Sequence, residues 1–434
     1  MGKLERSVER DADLLDRCRR KSAGALFGEL LRDVLTGALV QQQSAPPGQQ
    51  MHADITARWR SNRNGLQARS AWQHISVSRE TLDERAINMT EAILEPELPI
   101  IDPHHHLWDR ITLLPQLPPA THAFEAIIRQ TPRYLLDELL ADVGSGHNVI
   151  ASVYVQCGSF YRGDGPEALK PVGETEFVRG VAAMSASGIY GPFRACAGIV
   201  GHANLGLGDA VAPVLDAHLA AGGARFRGIR HMMAHDPDPA VLGPLAHAAP
   251  GLCADPAVRA ALRHFAIRGL SLDMWILEPQ LAEVVDLARA FPDVAMVLDH
   301  VGTPVGIAGY AGQRDARFAG WATQIRALAA CPNVSMKLGG LAMPFAGFAG
   351  MGPDIRPGSH QLADAWRPFI ETCIEAFGPS RCMFESNFPV DLWGADYLVL
   401  WNAFKRIAAG ASADEKAALF AGTAARFYRL EGFA

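Results

Sequence analysis

The sequence predicts a (β/α)8 barrel, the TIM-barrel fold, preceded by a mainly helical N-terminal extension. Eight short apolar segments follow one another between residues 98 and 386, and each is followed by a loop and then a helical segment. Strands that are apolar along their whole length are typical of a parallel sheet with both faces covered, and eight such units close into a barrel. The length of 434 residues accommodates such a barrel together with an appendage.

Residues 1–95 differ in composition from residues 96–434 and are predicted to form a separate, helical and partly disordered extension. Charged helix-like segments at 4–20 and 24–41 lead into a linker that cannot be helical through Pro46 and Pro47. A further helix is expected over 78–93. Two interpretations stay open: an arm that docks on the barrel or on a neighbouring subunit of a homo-oligomer, and a disordered tail.

The barrel elements are predicted from short apolar runs that alternate with segments of helical periodicity. The strands are expected at 98–104, 149–156, 193–200, 226–231, 269–275, 294–300, 334–338 and 381–386. The helices between and after them are expected at 173–186, 213–221, 279–290, 315–330, 360–377 and 395–409. The last helix is predicted to start at Ser412, because Ser412 and Glu415 have the spacing of a capping box.

The first predicted strand ends in three consecutive histidines, at the place where a barrel of this kind carries its functional groups. Strand alternation puts His104 and His106 on one face and His105 on the other. Two imidazoles at this spacing can bind one metal ion or stabilise one oxyanion. The sixth and eighth strands end in further polar side chains that would face the same cavity. The candidate catalytic residues are His104, His106, His300, Glu385 and Asn387.

Other side chains near the barrel mouth are candidates for substrate binding. A guanidinium binds a carboxylate through two parallel hydrogen bonds, so arginines here would favour a substrate that carries a carboxylate. Lys337 could instead form an ion pair with Glu385 inside the barrel. The candidates are Arg162 and Tyr161 after the second strand, Arg230 in the fourth and Lys337 in the seventh.

Four segments taken together resemble the amidohydrolase-related family over about residues 98–430. They read DPHHHLWD, LDHVGTP, VSMKLGG and MFESNFPVD, and they occur in this order along the chain. The resemblance implies a TIM-barrel hydrolase of the branch that contains lactonases, with decarboxylases and hydratases as relatives. It places His104 and His106 on the family's first-strand pair and His300 on its sixth-strand histidine.

Asn387 departs from the family's pattern, in which the eighth strand usually carries an aspartate, and Glu385 stands where the family has a glycine. An amide neither accepts a proton from water at neutral pH nor neutralises the charge of a metal. The resemblance therefore leaves two alternatives open. One is a single divalent metal, zinc above all, held by His104 and His106, and the other is catalysis without a metal.

These observations predict an enzyme, a hydrolase that opens a carboxylate-bearing lactone (a cyclic ester) in a catabolic pathway. The three histidines would polarise the carbonyl, directly or through a metal, and Glu385 or else a histidine would activate water. The alternative on the same scaffold is a lyase, a non-oxidative decarboxylase or hydratase of an unsaturated or aromatic acid. A third alternative is a catalytically silent barrel that binds a ligand or partner through the extension.

Composition and charge point to a small molecule as the partner. The formal net charge is −6, which gives no reason to expect nucleic acid or an acidic membrane surface. No run of about 18 apolar residues predicts a membrane span. The seven cysteines are scattered without a CxxC pair, which favours reduced thiols and a cytoplasmic protein.

Overall fold

The structure, a computed structural model, describes residues 91–433. The helices expected over 4–20 and 24–41, and almost all of the one expected over 78–93, lie outside this range, as does any docking of the extension. Residues 91–99 contain no helix or strand and lead directly into the barrel. No helix within the described range is both long enough and apolar enough to cross a membrane.

Eight parallel strands form one sheet whose spatial order follows the chain, which confirms the predicted TIM barrel. The segment after the last strand closes the barrel, because the Asn387 N–H donates to the His104 carbonyl at 2.9 Å and the His106 N–H donates to the Phe388 carbonyl at 2.8 Å. The strands are β1 (Ile100–His105), β2 (Val149–Val155), β3 (Arg194–Gly201), β4 (Phe226–Met232), β5 (Ser271–Trp275), β6 (Met296–Leu298), β7 (Val334–Leu338) and β8 (Cys382–Phe384).

Helices connect the strands and cover the sheet, and every predicted helix that lies in the described range is present. The start at Ser412 is also confirmed, since its hydroxyl accepts a hydrogen bond from the Glu415 N–H. The helices are α1 (Ala123–Gln130), α2 (Leu136–Val143), α3 (Val172–Ala186), α4 (Ala212–Gly222), α5 (Pro239–Leu242), α6 (Pro256–Ala266), α7 (Leu281–Ala290), α8 (Arg314–Ala329), α9 (Ser359–Phe377), α10 (Tyr397–Ile407), α11 (Ala413–Ala417) and α12 (Thr423–Phe427).

Two strands end two residues earlier than the sequence predicts, and both endings shape the site. β6 stops at Leu298 and β8 at Phe384, each just before the polar residues that follow. His300 and Asn387 then adopt left-handed backbone conformations, with φ of 59° and 53°. Such conformations are strained for residues other than glycine and persist where the surrounding structure enforces them. The backbone therefore turns sharply where two candidate residues enter the site.

Candidate active site

A cavity of about 330 Å³ opens at the carboxyl ends of the barrel strands, where barrels of this type carry their functional groups. Its floor is polar and its wall is largely apolar. Four of the residues proposed from the sequence lie at the floor, namely His106, Arg230, His300 and Asn387. They come from the ends of four different strands, so the closed barrel is what brings them together.

Glu385 lies beneath the floor and joins two of the three candidate histidines. Its two oxygens lie 2.6 Å from Nδ1 of His104 and 2.7 Å from Nδ1 of His300. The ring centroids of His104 and His106 are 4.9 Å apart, and those of His104 and His300 are 4.8 Å apart. The three imidazoles thus share one small volume. Because Glu385 is fully buried and does not line the cavity, its position does not suit the expected role of activating water directly.

The neighbours of His104 place a cation against each of its two ring nitrogens. A guanidinium can only donate, so the contact of 3.2 Å from Arg230 makes Nε2 of His104 an acceptor. Nδ1 lies 3.2 Å from the Lys337 ammonium, which also can only donate, and 2.6 Å from Glu385. Burial, and after it the charge of Lys337, holds the pKa of His104 well below its ordinary value, so the ring is neutral at neutral pH.

His300 presents an accessible nitrogen to the cavity. Its Nδ1 donates to Glu385, which also accepts the His300 backbone N–H at 3.1 Å. Its Nε2 has no hydrogen-bond partner within residues 91–433, and the residue lines the cavity. An imidazole held by a carboxylate on one nitrogen and free on the other has the arrangement of a general base.

Asn387 connects His106 to a buried carboxyl that the sequence analysis did not select. Nδ1 of His106 faces the Val155 carbonyl at 2.8 Å and must donate to it. Nε2 of His106 lies 3.2 Å from the Asn387 amide, and the other end of that amide lies 2.8 Å from Asp391. Burial raises the pKa of Asp391 to about 7. Near neutral pH this carboxyl therefore exchanges a proton at the far end of the amide.

Lys337 is an internal cation rather than a substrate-binding group. Its Nζ lies 2.9 Å from Asp273, 3.0 Å from Asp299 and 3.2 Å from Nδ1 of His104. Burial alone would lower the pKa of this ammonium, but the two carboxylates outweigh burial and raise it. The side chain is fully buried and does not line the cavity. The expectation of a pairing with Glu385 is also not met, since the direct partners are Asp273 and Asp299.

Within residues 91–433, one group of side chains could hold a metal ion. It consists of His104, Asp299 and His300, which offer ligand atoms within 4.8 Å of one another, and it does not include His106. However, Lys337 already contacts both Asp299 and His104, and Arg230 occupies Nε2 of His104. A divalent ion here would lie against two existing cations. The residues as arranged therefore fit an ammonium and do not fit a divalent metal.

Two of the proposed substrate-binding residues lie away from the cavity. Arg162 forms an ion pair with Glu176 on the barrel surface, and Tyr161 is 38% exposed; neither lines the cavity. Buried Glu174 accepts hydrogen bonds from the backbone N–H groups of Cys157 and Ser159 and so fixes the course of this loop. The sequence does not show the direction in which the side chains of this loop point.

The cavity also contains residues that the sequence analysis missed. Trp108 and Arg110 line it, and a signal for them was present, since they continue the two-residue alternation that begins at His104 and His106. Trp275 ends β5 and also lines the cavity. Asp391, which lies behind Asn387 and does not line the cavity, had a weaker signal, its spacing of four residues from Asn387.

Comparisons with known proteins agree with this fold. A family model described as amidohydrolase matches residues 101–430. Protein y4mH of Sinorhizobium fredii (strain NBRC 101917 / NGR234) is 35% identical over 341 residues, which is 77% of this chain and 99% of that protein. A protein of Burkholderia ambifaria named L-fucono-1,5-lactonase is 26% identical over 335 residues, 76% of this chain and 96% of its own length.

A solved structure of a similar protein has the same fold as this chain. An amidohydrolase of Burkholderia multivorans, determined with bound zinc, has a TM-score of 0.57 and 27% identity. The alignment covers 76% of this chain and 99% of that one. These comparisons confirm the resemblance drawn from the four sequence segments. Because the family model matches most of the length of this chain, the chain belongs to the amidohydrolase family.

Proposed function

We propose that this protein is a hydrolase that opens a lactone, with His300 as the general base. The observation that carries the proposal is the contact of 2.7 Å between Nδ1 of His300 and a carboxylate oxygen of Glu385. The other ring nitrogen of His300, Nε2, faces the cavity. A carboxylate on one imidazole nitrogen fixes the tautomer and stabilises the imidazolium that forms when the other nitrogen takes a proton. One relative is named as a lactonase, which supports a cyclic ester as the substrate. We do not extend the sugar named for that relative to this protein.

In the proposed reaction, Nε2 of His300 removes a proton from water while the water oxygen attacks the lactone carbonyl. A new C–O bond forms, and the carbonyl electron pair moves onto the carbonyl oxygen. When this intermediate collapses, the ring C–O bond breaks and the leaving alkoxide takes the proton back from His300. The product is the open-chain hydroxy acid, whose carboxyl group releases a proton to solvent.

Arg230 would balance the negative charge that develops on the carbonyl oxygen. It lines the cavity floor, and its guanidinium donates to Nε2 of His104 and to the Gln156 carbonyl. Those two bonds leave further N–H groups of the five available for an oxyanion. Arg110, which lines the same cavity, replaces Arg162 in our proposal as the second group that could hold a substrate carboxylate.

No step of this reaction needs a metal ion, because Lys337 already places a positive charge among the acidic groups behind the histidines. Its ammonium lies within 3.2 Å of Asp273, Asp299 and His104. His106 and Asn387 complete the floor beside His300. Lys337 and Glu385 touch no substrate in this proposal and act as positioning residues.

The test is proton release in weak buffer over a panel of lactones, followed by a panel of aromatic and unsaturated acids. We expect at least one lactone to be opened, with a hydroxy acid found by mass spectrometry. Arg162→Gln is the matched control, because Arg162 lies outside the cavity, and it should behave as the wild type. Loss of CO2 from an acid, or hydration of one, with no lactone opened would contradict the proposal in favour of a lyase.

A further inference from the structure

We infer that the lactone carries an apolar or aromatic portion between its ring and the cavity mouth. This inference rests on the proposed function and concerns the class of substrate rather than the reaction. It follows from the wall of the cavity, which comprises Trp108, Phe124, Ile127, Trp275, Met343 and Val390. Five of these side chains are buried, and Phe124 packs against them in one hydrophobic cluster.

The wall offers no hydroxyl or amide group to a polyhydroxylated molecule. Within the described chain, the residues lining the cavity include no serine, threonine, tyrosine or glutamine. The single asparagine, Asn387, is held between His106 and Asp391. A substrate hydroxyl placed against this wall would lose its hydrogen bonds to water and find at most the indole N–H of Trp275, which has no partner within the described residues. The wall therefore disfavours a sugar lactone.

Two of the charged groups that line the cavity, Arg110 and Glu125, also hold the wall, and Arg129 lines the cavity beside them. Arg110 donates to the Cys157 carbonyl at 3.1 Å, and its guanidinium lies 5.1 Å from the centre of the Trp108 ring. Glu125 accepts the N–H groups of Thr121 and His122 at the start of α1. These charged side chains support the aromatic surface and leave it lining the cavity. An aromatic surface of this kind binds a flat or apolar group.

The polar floor and the apolar wall fix the direction of binding. The reacting ester must lie at His300 and Arg230, so the remainder of the molecule extends along Trp108 and Trp275 toward the mouth. A volume of about 330 Å³ is at the small end of ligand sites, which favours a compact molecule. A monocyclic lactone with one aryl or short alkyl substituent meets these conditions.

The experiment compares δ-lactones that share one ring and differ in substituent: hydroxylated, unsubstituted, butyl and phenyl. We expect kcat/KM to be at least about tenfold higher for the phenyl compound than for the unsubstituted one, and lowest for the hydroxylated compound. Val390→Thr, nearly isosteric but polar, and Trp275→Leu should each reduce the ratio of phenyl to unsubstituted kcat/KM. Arg162→Gln should leave this ratio unchanged.

The outcomes separate this inference from the proposed function. Preferential opening of hydroxylated lactones would overturn the inference and leave the hydrolase intact. If no lactone is opened, the proposed function fails, and calorimetric binding of the matching phenyl and hydroxylated lactams still decides the inference. Tighter binding of the phenyl lactam by the wild type, reduced in Val390→Thr, would support the apolar site. Equal or weaker binding would overturn it.

Discussion

At the scale of single residues, one buried carboxylate organises the site. Glu385 holds Nδ1 of both His104 and His300 and has no contact with the cavity. Its charge matters most when His300 becomes an imidazolium, because that charge develops only during the reaction. Interactions that strengthen in the transition state raise kcat rather than lower KM. Glu385 should therefore act on turnover and hardly on substrate binding.

We predict that Glu385→Gln lowers kcat by at least about 100-fold, the lower end of a general-base contribution, with a much smaller change in KM. The substitution keeps the size of the side chain but removes the negative charge that stabilises the imidazolium. Steady-state kinetics with the best lactone measures both constants. Glu176→Gln, which removes a surface carboxylate, is the control. Wild-type turnover in a folded Glu385→Gln protein would remove Glu385 from the mechanism.

The Asp391 carboxyl should make activity depend on pH near neutrality. Burial raises its pKa to about 7, and His300 is the nearby group that partly counteracts this rise. The negative charge of ionised Asp391 would stabilise the positive charge that His300 gains in the transition state of the proposed reaction. As pH rises through about 7, Asp391 loses its proton, and kcat should increase.

We expect Asp391→Asn to have lower kcat and to lose this inflection, because asparagine has no proton to release in this range. Full pH–rate profiles of the two proteins measure the difference. Asp391→Glu, which can still ionise, should retain an inflection even if its position moves. An identical inflection in Asp391→Asn would assign the titration to another group.

Residue-level prediction from the sequence succeeded where periodicity and position in the fold suffice. His104, His106 and His300 could be placed at one rim because strand alternation and barrel order determine that placement. Lys337 and Arg162 could not be placed, because their partners, such as Asp273 and Glu176, come from other parts of the chain. Long-range pairing of charges leaves no periodic signal in a single sequence.

At the scale of elements, the loop after β7 makes room for the site. Gly339 and Gly340 follow Leu338, and Gly340 has a φ of 68°. A Cβ added at Gly340 would overlap the ring of His300, and one added at Gly339 would overlap Glu385. The two glycines therefore allow this backbone to pass directly against the proposed base and its carboxylate.

We predict that Gly340→Ala lowers kcat by at least about tenfold, because it must displace the His300 ring, and small misplacements of catalytic groups cost up to about 100-fold. Gly350→Ala is the matched control, since Gly350 has a similar φ of 77° but open space around its Cβ position. Both variants carry the same kind of backbone strain. Kinetics and thermal unfolding of the two, side by side, separate strain from displacement. Equal kcat values would contradict the account.

The element boundaries show what the pattern of apolar residues can determine. All eight strands were predicted, but β6 and β8 end sooner, because the predicted strands include the polar residues after Leu298 and Phe384, where the backbone already turns. α6 was not predicted, although Asp255 caps it and Pro256 occupies its first position, a recognisable start signal. α1 was also missed, since its cap is the uncommon His122.

At the scale of the whole molecule, the barrel interior contains paired charges of both signs. The ammonium of Lys337 and the guanidinium of Arg230 face the carboxylates of Asp273, Asp299 and Glu385 across the ring of His104. Buried charges persist only when they are paired in this way. The chain thus supplies its own cations at the centre of the barrel.

We expect the purified protein to retain its lactone hydrolysis after prolonged treatment with a chelator and to contain less than stoichiometric zinc. The physical reason is that Lys337 and Arg230 already occupy the donors a metal would use. Metal analysis and activity before and after chelation measure both quantities. One equivalent of zinc whose removal abolishes activity, and whose return restores it, would contradict this prediction.

The fold and the family could be predicted for the barrel because eight repeated units leave a strong periodic signal, and four motif segments fall at the strand ends. The direction of the Asn387 amide toward Asp391, by contrast, depends on a left-handed turn that no local pattern announces. The apolar character of the cavity wall was hidden for a related reason. Its residues, among them Trp108, Phe124 and Trp275, come from distant segments.

The measurement that tests the central claim most directly is a crystal structure with the hydroxy-acid product of the best lactone bound. We expect the product carboxylate to lie within about 2.6–3.2 Å of Nε2 of His300 and to accept a hydrogen bond from Arg230, with Nδ1 of His300 still donating to Glu385. A product bound away from His300, or Nε2 of His300 coordinating a metal ion, would contradict the account.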